Sequence, residues 1–339
     1  MDQTAVAGKR ATGMVLGKFL PPTRGHQYLI DFARSWSPDL TVIVGSLQQE
    51  PIPGEQRVRW MRELFPDLKI LHLTDENPQY PHEHPDFWQI WHDSIRRLMP
   101  TGPDLVFASE QYGFKLAEIL GARYIPVDTP RQLVPVSASL VREQPMTYWD
   151  YLPDCVRPWF VRKVCIIGPE STGKSTLAQL LAQQYRTAWV AEYARGCIDA
   201  HQGRVDVELF PLFIKGQAAS EAALARQANR VLICDTDAFT TALYHELYIG
   251  DRPEWILEEA WQRRYDLYLL ASPAGTPCVP DLQRQHPDRR QWFFDECVSW
   301  LEERKATCRI LSGDWEQRFR QACSGVDELF KDTMQAPMI

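Results

Sequence analysis

Residues 168–176 read GPESTGKST, which fits the spacing G-x-x-x-x-G-K-[ST]; the apolar run Val164–Ile167 precedes them, and Leu177, Leu180, Leu181 and Tyr185 stripe the segment that follows. A strand running through such a loop into a helix is a phosphate cradle. Gly168 and Gly173 let backbone N–H groups fold around phosphate oxygens, and the helix start adds its positive dipole end. The expected ATP contacts are therefore Gly168, Glu170, Ser171, Thr172, Gly173, Lys174, Ser175 and Thr176. Lys174 reaches the β and γ phosphates, and Ser175 places its hydroxyl on Mg2+. A carboxylate partner for the metal is expected at the end of a neighbouring strand, and Val231–Cys234 runs straight into Asp235. Asp237 has two readings, a group holding water near the metal or the N-cap of the next helix. Upstream, Glu192, Tyr193 and Arg195 end another apolar run and point a carboxylate and a guanidinium toward the phosphates. Glu192 is the candidate general base, against the alternative of a simple ion pair with Arg195. The basic stretch 281–290, with Arg284 in it, reads either as a cationic lid over the transferring phosphoryl group or as a solvated loop.

A second set of such residues lies in the first half. After the run Met14–Leu16 come Gly17, Lys18 and Phe19, then Thr23, Gly25 and His26 at a helix start. Gly25 lets the backbone approach a phosphate closely, and a histidine there can donate to a phosphate oxygen. Ser137 and Ser139 open another helix, with Arg142 one turn on, so two helix starts can face one polyphosphate. Taken alone, each segment is also an ordinary helix cap.

Positioning these groups requires strands that end at them. Candidate strands are Met14–Leu16, Leu40–Val44, Ile70–Leu73, Leu105–Phe107 and Tyr124–Val127, then Val164–Ile167, Ala188–Val190, Val231–Cys234 and Leu267–Leu270. Helical stripes lie between them, with Tyr28, Leu29, Phe32 and Trp36 on one face and Val58, Met61 and Leu64 on the next. Short apolar runs alternating with helices predict an α/β fold of two doubly wound parallel sheets. The expected layout is an N-terminal tail 1–13, a first domain 14–145, a packed connector 146–162, a second domain 163–327 and a C-terminal tail 328–339. A chain of 339 residues has room for two cores, and 45% hydrophobic with 24% charged residues excludes bulk disorder. With 37 Lys and Arg against 44 Asp and Glu the net charge is −7, and no basic block suggests a nucleic-acid partner. No apolar run approaches the length of a membrane span and no secretory signal opens the chain, so a cytoplasmic protein is expected. All 8 cysteines lie from Cys155 onward without a C-x-x-C pair and read as reduced and structural. A homo-oligomer is compatible with this composition.

Residues 23–26 (TRGH) and 136–142 (VSASLVR) together resemble the HxGH superfamily of nucleotidyltransferases, with threonine in place of the first histidine. Joined to the GPESTGKST loop they make the chain similar, from about Thr12 to Val326, to the bifunctional NadR-type family of bacteria. Supporting stretches include EPIPGEQRVRWMRELFP, VFASEQYG, VAEYAR, DTDAFTT and LSGDWEQR. The resemblance implies a nicotinamide-nucleotide adenylyltransferase fused to a ribosylnicotinamide kinase. Its partners would be ATP, nicotinamide riboside, nicotinamide mononucleotide and NAD, with Mg2+ as cofactor. His26, Lys18, Ser139 and Arg142 would stabilise adenylyl transfer by position and charge. The family's lid motif Asp-Gly-x-Arg is PDLQR here, and some members carry a DNA-binding domain for which about thirteen leading residues leave no room. Two other readings stand beside this one: an adenylyltransferase with another acceptor, and a first domain that senses NAD without turnover. The Trp88 and Trp91 segment suggests a flat aromatic acceptor, although core packing is the commoner reason for such rings.

Overall fold

The computed structural model describes residues 11–277 and 287–331, and the chain divides into two compact units between Val156 and Arg157. In the first unit the order is β1 (Gly13–Gly17), α1 (Arg24–Trp36), β2 (Leu40–Gly45), α2 (Gly54–Leu64), β3 (Lys69–Leu73), α3 (Phe87–Leu98), β4 (Leu105–Ala108), α4 (Tyr112–Leu120), β5 (Arg123–Pro126) and α5 (Ala138–Glu143). The sheet runs β3-β2-β1-β4-β5 with every pairing parallel. Its inner strands β1, β2 and β4 are largely apolar because helices cover both faces, whereas the edge strands β3 and β5 carry Lys69, His72 and Arg123. Successive residues divide between two cores: Val15, Val42 and Val44 pack with Leu29, Ile30, Val58 and Met61, while Met14 and Ile43 pack with Ile95, Leu116 and Leu120. Strand order reverses between β1 and β4, and the crevice at their carboxyl ends is where such sheets bind ligands.

The second unit comprises β6 (Arg162–Ile167), α6 (Lys174–Tyr185), β7 (Trp189–Val190), α7 (Tyr193–Ala200), α8 (Phe210–Ala225), β8 (Val231–Asp235), α9 (Ala238–Tyr248), α10 (Glu254–Gln262), β9 (Leu267–Ala271), α11 (Arg290–Glu303), β10 (Cys308–Leu311) and α12 (Trp315–Lys331). Its parallel sheet has the order β10-β9-β6-β8-β7, so the phosphate loop leaves the central strand. Val164, Ile166, Ile233 and Leu269 form the core with Leu177 and Leu181.

The two doubly wound parallel sheets are those expected from the sequence, with differences of detail. β10 was not among the expected strands: it is a four-residue edge strand carrying Arg309, and it lacks an apolar run. The buried face of α1 is Leu29, Ile30 and Ala33, whereas Tyr28 is exposed and Trp36 is 55% exposed. Met146, Trp149, Leu152 and Val156, within the expected connector, are buried and belong to the first unit. The expected C-terminal tail begins inside a helix, since α12 continues through Lys331 and Leu329 and Phe330 pack on the second core.

Candidate active sites

The first site forms where β1 ends. Gly17, Lys18 and Phe19 lead from the strand toward α1, which Thr23 caps. Thr23 N–H donates to His26 Nδ1 at 3.1 Å, and Thr23 Oγ1 lies 3.0 Å from the same nitrogen. An Nδ1 that accepts leaves the proton of neutral imidazole on Nε2, so the ring presents an N–H donor. Burial, then the nearby Arg131 charge, push the His26 pKa down to about 4, so the ring is neutral near pH 7. Phe19 packs edge-on against it at 5.0 Å between centroids. Thr23 is 3% exposed, its hydroxyl meets His26, and it lines a cavity together with Gly25, His26, Ser137 and Ser139.

Across the crevice Ser137 caps α5, accepting the Leu140 N–H at 3.2 Å, which is the ordinary cap reading of this residue. Arg142 Nη1 donates to Leu20 O at 2.8 Å and ties α5 to the β1–α1 loop. Lys18, His26, Ser139 and Arg142 line one cavity of about 760 Å³, with Phe87, Trp88 and Trp91 along another part of its wall. Trp88 and Trp91 also pack on the core, and Trp91 Nε1 donates to Pro78 O at 2.9 Å, so these rings serve packing and lining together. Gly25, His26, Ser137, Ser139 and Arg131 line an adjoining cavity of about 260 Å³.

Several residues of this site were not singled out by the sequence. Arg57 is fully buried; its Nη1 donates to Lys18 O at 2.6 Å and to Gly45 O at 3.2 Å, and its other amino group pairs with Glu50. The other carboxylate oxygen of Glu50 lies 3.1 Å from Lys18 Nζ. Despite the cost of burial, the Leu47 N–H, Lys18 and Arg57 together hold the Glu50 carboxyl below its usual range. Arg131 pairs with Glu110 at 2.9 Å. Such contacts join residues distant in the chain, and one of the three arginines of α2 gives no local signal of its partners.

In the second unit the loop between β6 and α6 has the shape its glycines require. Gly168 has φ +136°, and a Cβ there would meet Ala271 O at 2.6 Å; Gly173 has φ +83° and lies against the Trp315 ring. Thr172 Oγ1 and Lys174 Nζ both donate to Pro169 O, at 2.8 and 3.0 Å. Arg290 Nε, from the start of α11, donates to Glu170 O at 3.0 Å. Ser175 Oγ donates to Asp235 Oδ2 at 2.5 Å, while Asp235 Oδ1 is buried with no hydrogen-bond partner among the described residues. Burial and then the Glu192 charge push the Asp235 pKa up to about 6, against the pull of Lys174 and Ser175. A hydroxyl beside a carboxylate whose second oxygen lacks a partner fits Mg2+, which is commonly held by one or two carboxylates, phosphates and waters without a full protein cage. No group of three or more His, Cys, Asp or Glu residues that could hold a metal occurs among the described residues.

Glu192 stands at the start of α7 with Arg195 Nε 3.8 Å from its Oε2, so the ion pair and the placement beside the phosphate loop coexist. Tyr193 is 40% exposed at the same helix start. Of the two readings of Asp237, the structure shows the cap: its Oδ1 accepts the Thr240 N–H at 2.9 Å, and Tyr268 lies 3.3 Å from its Oδ2. Arg284 lies outside the described residues.

Two doubly wound units, each with a glycine-bearing loop between a central strand and a helix start, define a nucleotide-binding protein of two domains. A family model described as an AAA domain matches residues 163–318. Over 346 residues the chain is 31% identical to the trifunctional NAD biosynthesis/regulator protein NadR of Escherichia coli (strain K12), covering 95% of this chain and 84% of that protein. The protein of the same name from Salmonella typhimurium (strain LT2) is 30% identical, covering 94% and 83%. The chain belongs to the NadR family. A crystal structure of NadR protein in complex with NAD and AMP-PNP shares the fold with a TM-score of 0.78, 22% identity and coverage of 98% and 99%. A second, in complex with NR, has a TM-score of 0.77, 22% identity and coverage of 97% and 98%.

Proposed function

We propose that this protein carries nicotinamide riboside to NAD in two ATP-consuming steps, one in each unit. The observation that carries the reading is the pair of separate phosphate loops, 17–26 and 168–176, in a chain of the NadR family. We place the reactions in the cytoplasm, where ATP is available.

In the second unit, the loop N–H groups and Lys174 hold the β and γ phosphates of ATP and offset charge on the transferring phosphoryl group. Glu192, beside the loop, takes the proton of the riboside 5′-hydroxyl as it attacks, with Tyr193 and Arg195 at the same helix start to orient the riboside. Asp235 and Ser175 are the residues that would hold Mg2+, which when bound would neutralise charge on the phosphates. Dissociating Lys174 from Pro169 O frees the ammonium for phosphate.

In the first unit the mononucleotide phosphate attacks the α-phosphorus of ATP and pyrophosphate leaves, with no covalent enzyme intermediate. Lys18 and Arg142 supply charge, and His26 donates through Nε2 to an oxygen on which charge accumulates. The attacking phosphate and the departing pyrophosphate are both ionised near pH 7, so the reaction needs no proton transfer by this histidine. Phosphorus NMR with two substrate pairs tests the assignment. Riboside with ATP should give ADP, and mononucleotide with ATP should give pyrophosphate; a chain that binds NAD but forms neither product is a sensor.

A further inference from the structure

Gln217 lies in the middle of α8 and is buried. Both ends of its amide are used. Oε1 accepts the backbone N–H of Tyr193 at 3.0 Å, and Nε2 donates to the backbone carbonyl of Asp235 at 3.2 Å. The first partner is the residue directly after Glu192, where α7 begins, and the second is the last residue of β8. One side chain from a third element therefore grips the two backbone points from which Glu192 and Asp235 project. The contact also serves the helix start, where N–H groups lack intrahelical acceptors. Glu192 makes no cap hydrogen bond with its side chain, so Gln217 takes over that duty and leaves the Glu192 carboxylate to the site. Beside it, a Cβ on Gly216 would stand 2.2 Å from the Tyr193 ring, so α8 offers that ring a bare backbone.

We infer that Gln217 is a positioning residue for phosphoryl transfer, which sets the spacing of Glu192 from Asp235 by docking the start of α7 against the end of β8. The inference rests on the kinase reading of the second unit. Only a side chain of this length with one acceptor and one donor satisfies both contacts: Asn is too short, Glu lacks the donor and Met lacks both.

The test uses the full chain with Gln217→Met and Gln217→Glu, with adenylyl transfer by the first unit as an internal control. For Gln217→Met, kcat of riboside phosphorylation should fall about tenfold or more with KM for ATP within about threefold, because the start of α7 is loosened while the phosphate loop, which Gln217 does not touch, keeps its contacts. Adenylyl transfer should be unchanged. Amide exchange at the start of α7 should accelerate while that of α6 stays slow. Gln217→Glu retains the acceptor for Tyr193, so it should keep exchange protection and still lose rate. A Gln217→Met enzyme with wild-type kcat overturns the inference. So does a loss that recovers on cooling in step with thermal stability, or a loss in Gln217→Glu no larger than experimental error. A wild-type chain that forms no ADP from riboside instead removes the kinase reading itself.

Discussion

Thr23→Val isolates the hydroxyl that meets His26 and leaves the backbone N–H in place. Thr23 is 3% exposed and valine has nearly its shape, so the change opens no cavity. Nδ1 has one lone pair, shared between the Thr23 N–H at 3.1 Å and the hydroxyl at 3.0 Å. Losing one donor leaves the other, so the cost to ring orientation is at most about 1 kcal/mol, roughly fivefold in adenylyl transfer. His26→Ala removes the Nε2 donor itself and should cost about 2–4 kcal/mol, roughly 30-fold to 1,000-fold. If the threonine hydroxyl reaches the nucleotide only by way of the ring, and its part in capping α1 affects stability more than chemistry, Thr23→Val should add almost nothing in a His26→Ala background. The assay is pyrophosphate release from ATP and nicotinamide mononucleotide in wild type, both single variants and the double variant. If Thr23→Val loses as much as His26→Ala, or keeps its full effect in the double variant, threonine contacts the nucleotide directly and the positioning argument is wrong.

Lys174→Ala should lower riboside phosphorylation by about 10²-fold or more while adenylyl transfer survives, measured as ADP and pyrophosphate from the same preparation. Glu192→Gln should reduce phosphorylation kcat with little change in ATP affinity, whereas Asp235→Asn should raise the Mg2+ concentration needed for half-maximal rate; indistinguishable phenotypes would refute the division of roles. The His26 pKa lies near 4, below its ordinary value of 6.5, so the folded protein binds fewer protons there than the unfolded chain between those values. Adenylyl transfer should therefore show no His26 inflection from about pH 5 to 9 and should fall as pH drops through about 4, where protonation of Nδ1 ejects the Thr23 N–H; an inflection near 6.5 that disappears in His26→Ala contradicts this. Arg57→Met should leave Glu50 as a buried carboxylate paired only with Lys18, raising KM for ATP in adenylyl transfer and lowering thermal stability, with phosphorylation unaffected.

The sheets were legible because parallel strands buried on both faces contain apolar runs such as Val42–Val44 and Val231–Cys234. β10 was not, since an edge strand with Arg309 on it escapes that test. The stripe assigned to α1 included Tyr28 and Trp36, large apolar rings whose exposure no periodicity reveals. The phosphate loops stood out because a loop's chemistry is local: Gly168, Gly173, Lys174 and Ser175 sit within eight residues of sequence. Arg57 and Gln217 work at the far ends of long-range hydrogen bonds, to Lys18, Tyr193 and Asp235, and an arginine or glutamine in a helix announces nothing about where it ends. Asp237 and Ser137 lay within motif-bearing segments, yet both are caps, because a helix start needs an acceptor whatever ligand it faces.

Two independent sites acting in sequence on one compound can be followed by mass spectrometry of the products formed from nicotinamide riboside and Mg-ATP. Wild type should form nicotinamide mononucleotide and NAD. His26→Ala should stop at the mononucleotide, and Lys174→Ala should form neither from riboside yet still make NAD when given mononucleotide. NAD formed from riboside by Lys174→Ala, or no mononucleotide from His26→Ala while wild type makes NAD, would contradict the assignment of one step to each unit.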